Sequence, residues 1–148
     1  MKLAEALLLR ADLMKKIEHL QFRIAPLLIV SDDRVPQEDP DEVMAQLRKA
    51  ILDLERIIIR INRTNNETQV EGEGLLMEAL AKRDSLKMLS EKLRNIRQAA
   101  QINNSGDKNL KTTIDIKKLQ AEMDQTGRAF REIDSKIQEI NWLTELIN

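Results

Sequence analysis

The sequence contains no cysteine, and aromatic residues make up only 2% of its 148 residues. The missing cysteines exclude disulfides, thiolate catalysis and cysteine-based zinc sites. No apolar run reaches the ~20 residues that a membrane-spanning helix needs. The net charge of -1 gives no general attraction to nucleic acid or to an anionic membrane. The first residues include an acid and no continuous apolar core, unlike a signal peptide, so the sequence predicts a cytoplasmic protein.

Glycine and proline are scarce, with four and three residues, whereas charged residues make up 33% of the chain. This composition is typical of long helices rather than sheets. The length is that of one domain with a substantial core. We therefore predict an all-α protein with a single domain over residues 1–148.

Heptad spacing of apolar residues predicts four helices, over residues 2–25, 40–65, 74–101 and 115–147. The last is the strongest, because its 3-4 alternation runs unbroken from Ile116 to Ile147. At ~1.5 Å per residue this helix spans on the order of 50 Å. A compact domain of this length has a radius of gyration of roughly 15 Å, so the helix is too long for a spherical domain. We predict an elongated bundle of four long antiparallel helices that assembles through a helical interface.

The connections between these helices carry their own signals. Asp39 and Asp115 have the positions of N-caps, and Pro40 is a favourable first helical residue. Pro26 disfavours continuing the first helix, and we expect the apolar residues 27–30 to be extended and packed down. Residues 62–73 are predicted as a loop or frayed turn, and residues 103–107 as a turn.

The buried strips follow from the same spacing. The second helix has an unbroken seam from Val43 to Thr64. On the first helix, the predicted seam includes Arg10 and Gln21, where a polar side chain is costly unless it is paired. The third helix has a predicted seam of eight residues: Leu75, Ala79, Lys82, Leu86, Leu89, Leu93, Ile96 and Ala100.

Apolar residues also occur away from the seams. Those on the second helix lie nearly opposite its seam, and those at the end of the fourth helix make its last two turns apolar on most sides. A helix that is apolar on two sides is sandwiched between partners, so we predict a homo-oligomer, a dimer or a higher ring. The candidate interface residues are Leu52, Ile59, Trp142, Leu143 and Leu146.

Motifs for catalysis are missing. A di-iron bundle needs Glu-x-x-His on two helices, and the chain has one histidine, His19. Phosphate-loop, dinucleotide-binding and nucleophile-elbow motifs do not occur. We therefore predict that the protein is not an enzyme and holds neither a metal nor a cofactor.

Columns of polar residues flank the seams of helices two to four. One interpretation is a paired internal network that fixes register and partner choice. The other is a polyanion or nucleotide site in which arginines hold phosphate, which the scarcity of aromatic residues and the balanced charge disfavour. The candidate residues are Arg56, Arg60, Asn62, Arg63, Arg83, Asp84, Arg131, Asp134, Gln138 and Asn141.

Several short blocks of the sequence are similar to a small bacterial family described as septicolysin-like. They are MKLAEAL at 1–7, RADL at 10–13, RINRTN at 60–65, AKRD at 81–84, REID at 131–134 and QEINW at 138–142. The resemblance spans nearly the whole chain and implies a small, cytoplasmic, all-helical protein of unknown activity. It transfers no catalytic residue. We thus predict a non-enzymatic oligomeric scaffold or interaction protein that does not bind membranes, with nucleotide or nucleic-acid binding through the arginine columns as the alternative.

Overall fold

The computed structural model describes residues 1–101 and 109–148, which are mainly α-helical. The helices of this part of the chain are α1 (Leu3–Ile24), α2 (Pro40–Glu67), α3 (Leu76–Ala99) and α4 (Ile116–Leu143). A 3-10 turn (Ala25–Leu27) follows α1, and two short strands, β1 (Gln69–Val70) and β2 (Gly74–Leu75), lie between α2 and α3. The all-α class is confirmed, whereas the strands were not predicted and α4 ends four residues earlier than expected. The turn predicted at residues 103–107 lies outside the described residues.

The contacts of the chain divide it into two compact units. Unit 1 contains Met1–Thr68 and Asn141–Asn148, and unit 2 contains Gln69–Ile140. One domain can contain two such units, so the single domain stays a prediction, as does the elongated bundle of four helices.

The core of unit 1 lies between α1 and α2. Leu20, Ile24 and Leu27, at the end of α1 and just beyond it, pack with Val43 and Ala50 from the first half of α2. Because the end of one helix meets the beginning of the next, α1 and α2 form an antiparallel pair.

The last residues of the chain complete unit 1. The amide of Leu3 donates to the carbonyl of Thr144 at 2.9 Å, and the amide of Leu146 donates to the carbonyl of Met1 at 2.8 Å. This short antiparallel pairing attaches residues 144–146 to the beginning of α1.

Unit 2 begins with a β-hairpin whose turn needs glycine. The amide of Glu73 donates to the carbonyl of Val70 at 3.0 Å, and Gly72, the third residue of this turn, has a φ of 76°. Because Glu71, the second residue, does not have a positive φ, the turn is of type II. The hairpin leads directly into α3, whose start is supported by a 2.6 Å hydrogen bond from the Leu75 amide to the Glu78 carboxylate.

The two long helices of unit 2 also run antiparallel. Arg83, near the beginning of α3, lies 3.9 Å from Asp134 near the end of α4. Arg97, near the end of α3, donates a hydrogen bond to Gln120 near the beginning of α4.

The predicted N-caps are confirmed. Asp39 Oδ1 accepts a hydrogen bond from the amide of Asp41 at 2.9 Å, and Asp115 Oδ1 accepts one from the amide of Lys118 at 3.1 Å. Each carboxylate satisfies an amide that has no partner within its helix and lies at the positive end of the helix dipole.

Two of the four predicted seams are confirmed and two are partly wrong. The seam residues of α2 and α4 are buried or half-buried along their whole length. On α1, Ile24 of the predicted seam is buried, but Arg10 and Gln21 are exposed, and Ala6 and Leu20 are buried instead. Neither polar side chain therefore has to be buried.

The α3 seam is shifted by one residue at four of its eight positions. Leu89 and Ile96 are exposed, as is Lys82, whereas Arg83 and Arg97 are half-buried. The shifted strip consists of Leu76, Ala79, Arg83, Leu86, Ser90, Leu93, Arg97 and Ala100. Arginine can occupy such a strip because its aliphatic stem packs while its guanidinium reaches a polar partner.

Residues 27–30 are not an extended, packed-down segment. Leu27 is buried, but Ile29 is 89% exposed, and Leu28 and Val30 are exposed as well. The loop after α1 therefore presents apolar side chains to solvent.

Candidate functional site

Two of the three candidate arginines on α2, Arg60 and Arg63, donate to residues 147 and 148. Arg60 Nε donates to the carbonyl of Ile147 at 3.0 Å, and its Nη2 donates to Asn148 Oδ1 at 2.9 Å. Arg63 Nη1 donates to the carbonyl of Asn148 at 3.1 Å. These two guanidinium groups thus have a structural role within unit 1, which is one form of the paired network expected from the sequence.

Thr64 lies at the centre of this arrangement and is fully buried. Its hydroxyl donates to the carbonyl of Arg60 at 2.8 Å and accepts from the amide of Ile147 at 3.0 Å. We refer to Arg60, Arg63 and Thr64 with their partners Ile147 and Asn148 as the terminal clamp. Thr64 was predicted to lie on the α2 seam, but this function has no signature in the sequence, because its partner is the backbone amide of Ile147.

The third arginine of the α2 column is held by a neighbouring acid. Arg56 Nη1 lies 3.7 Å from Asp53 Oδ1, and Lys49 Nζ lies 2.6 Å from Asp53 Oδ2. The hydrogen bond from Lys49, with the charges of Lys49 and Arg56, holds the pKa of Asp53 below its ordinary value. Asn62, the remaining α2 candidate, is exposed.

The polar residues of α3 and α4 form a separate cluster in unit 2. Arg83 donates through Nε and Nη2 to Asp84 Oδ1, at 3.0 and 2.8 Å, and its Nη1 lies 3.9 Å from Asp134 Oδ1. Asp134 and Arg83 are half-buried, whereas Gln138 is exposed. Asn141, at the end of the same column, is buried and belongs to unit 1.

A second ionic cluster of unit 2, missed by the sequence analysis, is centred on the β-hairpin. Glu73 accepts from Lys82 Nζ at 2.5 Å, and Lys136 Nζ lies 3.5 Å from its other oxygen. Lys136 also donates to the carbonyl of Glu71 at 3.4 Å. The hydrogen bond from Lys82, with the charges of both lysines, holds the pKa of Glu73 below its ordinary value. The acid therefore ties the hairpin to α3 and α4.

Four large apolar residues on α2 are exposed on the same side of the helix. They occur in two rows with heptad spacing, Ile51 with Ile58 and Leu52 with Ile59, and all four are exposed. We refer to these four residues as the α2 surface. Two of them, Leu52 and Ile59, are predicted interface residues.

The other predicted interface residues lie at the end of the chain and divide into two groups. Trp142 is 56% exposed and Leu143 is 67% exposed. Leu146 is buried, because residues 144–146 pair with the beginning of α1. The expectation that Leu146 adds to an accessible interface is therefore wrong.

A second exposed apolar cluster lies where α1 meets α2. Val35 is 88% exposed, and a groove of about 570 Å3 borders it. We refer to this cluster as the apolar tip; its residues are Phe22, Leu28, Ile29, Val30 and Val35. Asp32 and Asp33 lie within the same loop, so carboxylates accompany its apolar side chains.

An open groove of about 510 Å3 lies between α3 and α4 within unit 2. We refer to it as the α3–α4 groove; its lining includes Lys87, Glu91, Arg94, Gly127, Phe130 and Arg131. Arg131 is the one member that the sequence analysis singled out. In the part of the chain that the structure describes, Lys87, Arg94 and Arg131 make no side-chain hydrogen bond or ion pair.

The described residues contain neither a metal site nor a helix that could cross a membrane. Residues 1–101 and 109–148 contain no group of three His, Asp or Glu side chains arranged to hold a metal ion. None of the helices described is long and apolar enough to cross a membrane.

The structure defines a mainly helical protein whose clusters are structural ion pairs, exposed apolar surfaces and an open basic groove. The chain belongs to a family of unknown function, DUF6847, whose model matches residues 10–146. It is also similar to a functionally unknown conserved protein from Corynebacterium diphtheriae, known from its crystal structure, with 26% identity and a TM-score of 0.92 over 99% of both chains. A comparison with curated proteins finds no match. The resemblance to the septicolysin-like family stays a prediction.

Proposed function

We propose that the protein is a non-enzymatic helical scaffold that assembles with copies of itself through the α2 surface. The observation that carries this proposal is that four large aliphatic side chains, in two heptad rows, remain exposed on one side of a helix. Large apolar side chains exposed together on one side of a helix are a feature of interaction sites. Burying one such side chain completely contributes about 1.5–3 kcal/mol, and heptad spacing suits packing against another helix.

The end of α4 supports the same proposal. Trp142 and the neighbouring Leu143 are exposed although both belong to unit 1, the unit that carries the α2 surface. Tryptophan is enriched at protein interfaces because it adds a large apolar area at a low cost in conformational entropy. We therefore include both residues in the proposed interface.

The apolar tip is a less suitable surface for self-association. Asp32, Asp33 and Arg34 lie in the same loop as its apolar side chains, so an interface at the tip would have to take three charges out of water. Removing charges from water is costly. A substitution on the tip can therefore serve as a control for the same substitution on the α2 surface.

Light scattering coupled to size exclusion, at micromolar protein concentration, tests this proposal. The wild-type mass should be at least twice the 17.1 kDa of one chain. Ile59→Lys should yield monomers, because it places a charge in the middle of the interface. The matched control Ile29→Lys makes the same chemical change on the apolar tip and should leave the mass unchanged.

Emission from Trp142, the single tryptophan, adds an independent measurement. Dilution of the wild type below its dissociation constant should shift the emission to longer wavelength as the indole becomes solvated. A wild-type protein that is monomeric at micromolar concentration overturns the proposal. Dissociation by Ile29→Lys but not by Ile59→Lys would transfer the interface to the apolar tip.

Nucleic-acid binding through the arginine columns is the weaker alternative. Arg60 and Arg63 donate to the last two residues, and Arg56 and Arg83 lie against carboxylates. A phosphate would have to compete with these partners, and the gain in charge-assisted bonding would be offset by the bonds that are lost.

A further inference from the structure

We propose that the α3–α4 groove is a binding site for a small organic phosphate, with the phosphoryl group held by Arg94 and Arg131 and its apolar part lying against Phe130. This site is on unit 2 and does not depend on the self-association proposed above. The volume of about 510 Å3 is within the range of roughly 300–1,000 Å3 for small-molecule sites.

The charge of the groove favours an anion. Lys87, Arg94 and Arg131 provide three positive charges, and Glu91 provides one negative charge. The lining therefore has a net charge of two, which matches a phosphomonoester dianion. Arginine can bind phosphate through two parallel N–H donors, and such charge-assisted hydrogen bonds are stronger than neutral ones.

These cations differ from the arginines of the terminal clamp because no internal partner uses their donors. Within residues 1–101 and 109–148, Arg94 and Arg131 make neither an ion pair nor a side-chain hydrogen bond. By contrast, Arg60, Arg63 and Arg83 all have protein partners. A ligand in the groove would thus gain hydrogen bonds without displacing any that the protein already makes.

Gly127 is a second, independent indication. It lies in the interior of α4, where glycine is less favourable than alanine by roughly 0.5–1 kcal/mol. Packing does not require it, since a Cβ at this position would meet the Arg131 Nη1 atom at 3.5 Å, an ordinary contact distance. What glycine does provide is an unfilled groove wall beneath the Arg131 guanidinium.

Phe130 indicates the kind of molecule that carries the phosphate. It is one of two phenylalanines in the sequence, and it lies half-buried in the groove next to Arg131. An aromatic ring in the same groove as these cations favours a ligand that combines a phosphate with an apolar or aromatic group.

Isothermal titration calorimetry with phenyl phosphate, inorganic phosphate and phenol tests the site in the full chain. We expect saturable binding of phenyl phosphate, weaker binding of inorganic phosphate and none of phenol. Arg94→Gln and Arg131→Gln should each weaken phenyl phosphate binding about tenfold or more. Arg128→Gln, an exposed residue of α4 outside the groove lining, should leave the affinity unchanged.

Gly127→Ala separates a binding role from a structural one. If the glycine keeps the groove open, the substitution should raise the melting temperature by improving the helix, yet weaken phenyl phosphate binding. Unchanged affinity in Gly127→Ala, Arg94→Gln and Arg131→Gln would overturn the proposal. So would an oligonucleotide that binds while phenyl phosphate does not, because the groove would then take a polyanion rather than a small ligand.

Discussion

Removing the Thr64 hydroxyl should loosen the end of the chain, and Thr64→Val does so with little change in shape. The hydroxyl makes two hydrogen bonds, to the carbonyl of Arg60 and from the amide of Ile147, at 2.8 and 3.0 Å. Each such bond contributes about 0.5–1.5 kcal/mol, and a buried group left unsatisfied costs about 1–3 kcal/mol. Ile147 is half-buried, so water can reach its amide in part. We therefore expect a loss of about 1–2 kcal/mol in the free energy of unfolding.

Urea denaturation measures this loss. The m-values of the variant and the wild type should be equal, which would show that both expose the same surface on unfolding. The melting temperature should fall by about 2–8 °C, at roughly 2–4 °C for each kcal/mol in a chain of this size. Hydrogen exchange at the Ile147 amide should accelerate, because its acceptor is gone. Thr113→Val, the same change at an exposed residue, should alter stability by less than about 0.5 kcal/mol.

A loss below about 0.5 kcal/mol in Thr64→Val, together with unchanged exchange at Ile147, would refute the reasoning. It would mean that the two hydrogen bonds of the hydroxyl contribute nothing beyond what water provides, and that other contacts hold residues 147–148.

Three other sites should give measurable changes in stability. Leu20→Ala opens a cavity in the unit 1 core and should cost about 2–5 kcal/mol in denaturant titrations, whereas Leu28→Ala, at an exposed position, should cost less than about 0.5 kcal/mol. Gly72→Ala forces a side chain into a φ of 76° and should lower stability by roughly 1–2 kcal/mol, while Gly72→Asn, which tolerates this region better, should restore part of the loss. The lowered pKa of Glu73 means that its ion pairs stabilise the fold above its ordinary value of 4.5 and are lost as the pH falls through the folded value. Thermal melts of wild type and Glu73→Gln between pH 7 and pH 3 should therefore converge at the acidic end, and curves that stay parallel would contradict this assignment.

The parts of the fold that sequence predicts well are those set by local interactions. A cap at Asp39 or Asp115 depends on one carboxylate and an amide two or three residues away, so residue type and spacing suffice. The α2 and α4 seams were also predictable, because their apolar residues occupy nearly every 3-4 position and leave a single direction for the core.

The α1 and α3 seams show where this reasoning fails. Both helices carry leucines on more than one side, so several strips satisfy the same spacing. The choice is then made by tertiary partners: Arg83 lies on the half-buried strip, where its Nη1 is 3.9 Å from Asp134 on α4. Leu89, which the periodicity favours, remains exposed. The spacing of apolar residues along a helix carries no information about a partner on another helix. The rotation of α3 could therefore not be predicted from the sequence.

The candidate site shows the same limit in its strongest form. The sequence identifies Arg60, Arg63 and Arg131 equally, as cations beside apolar seams. The acceptors for Arg60 include a backbone carbonyl 87 residues away, and a carbonyl has no signature in residue type. Only the three-dimensional structure distinguishes the arginines that already have hydrogen-bond partners, Arg60 and Arg63, from Arg131. Among the residues that the structure describes, Arg131 has no hydrogen-bond or ion-pair partner, and it lies over a glycine that packing does not require. A ligand should therefore be sought at the α3–α4 groove rather than at the terminal clamp.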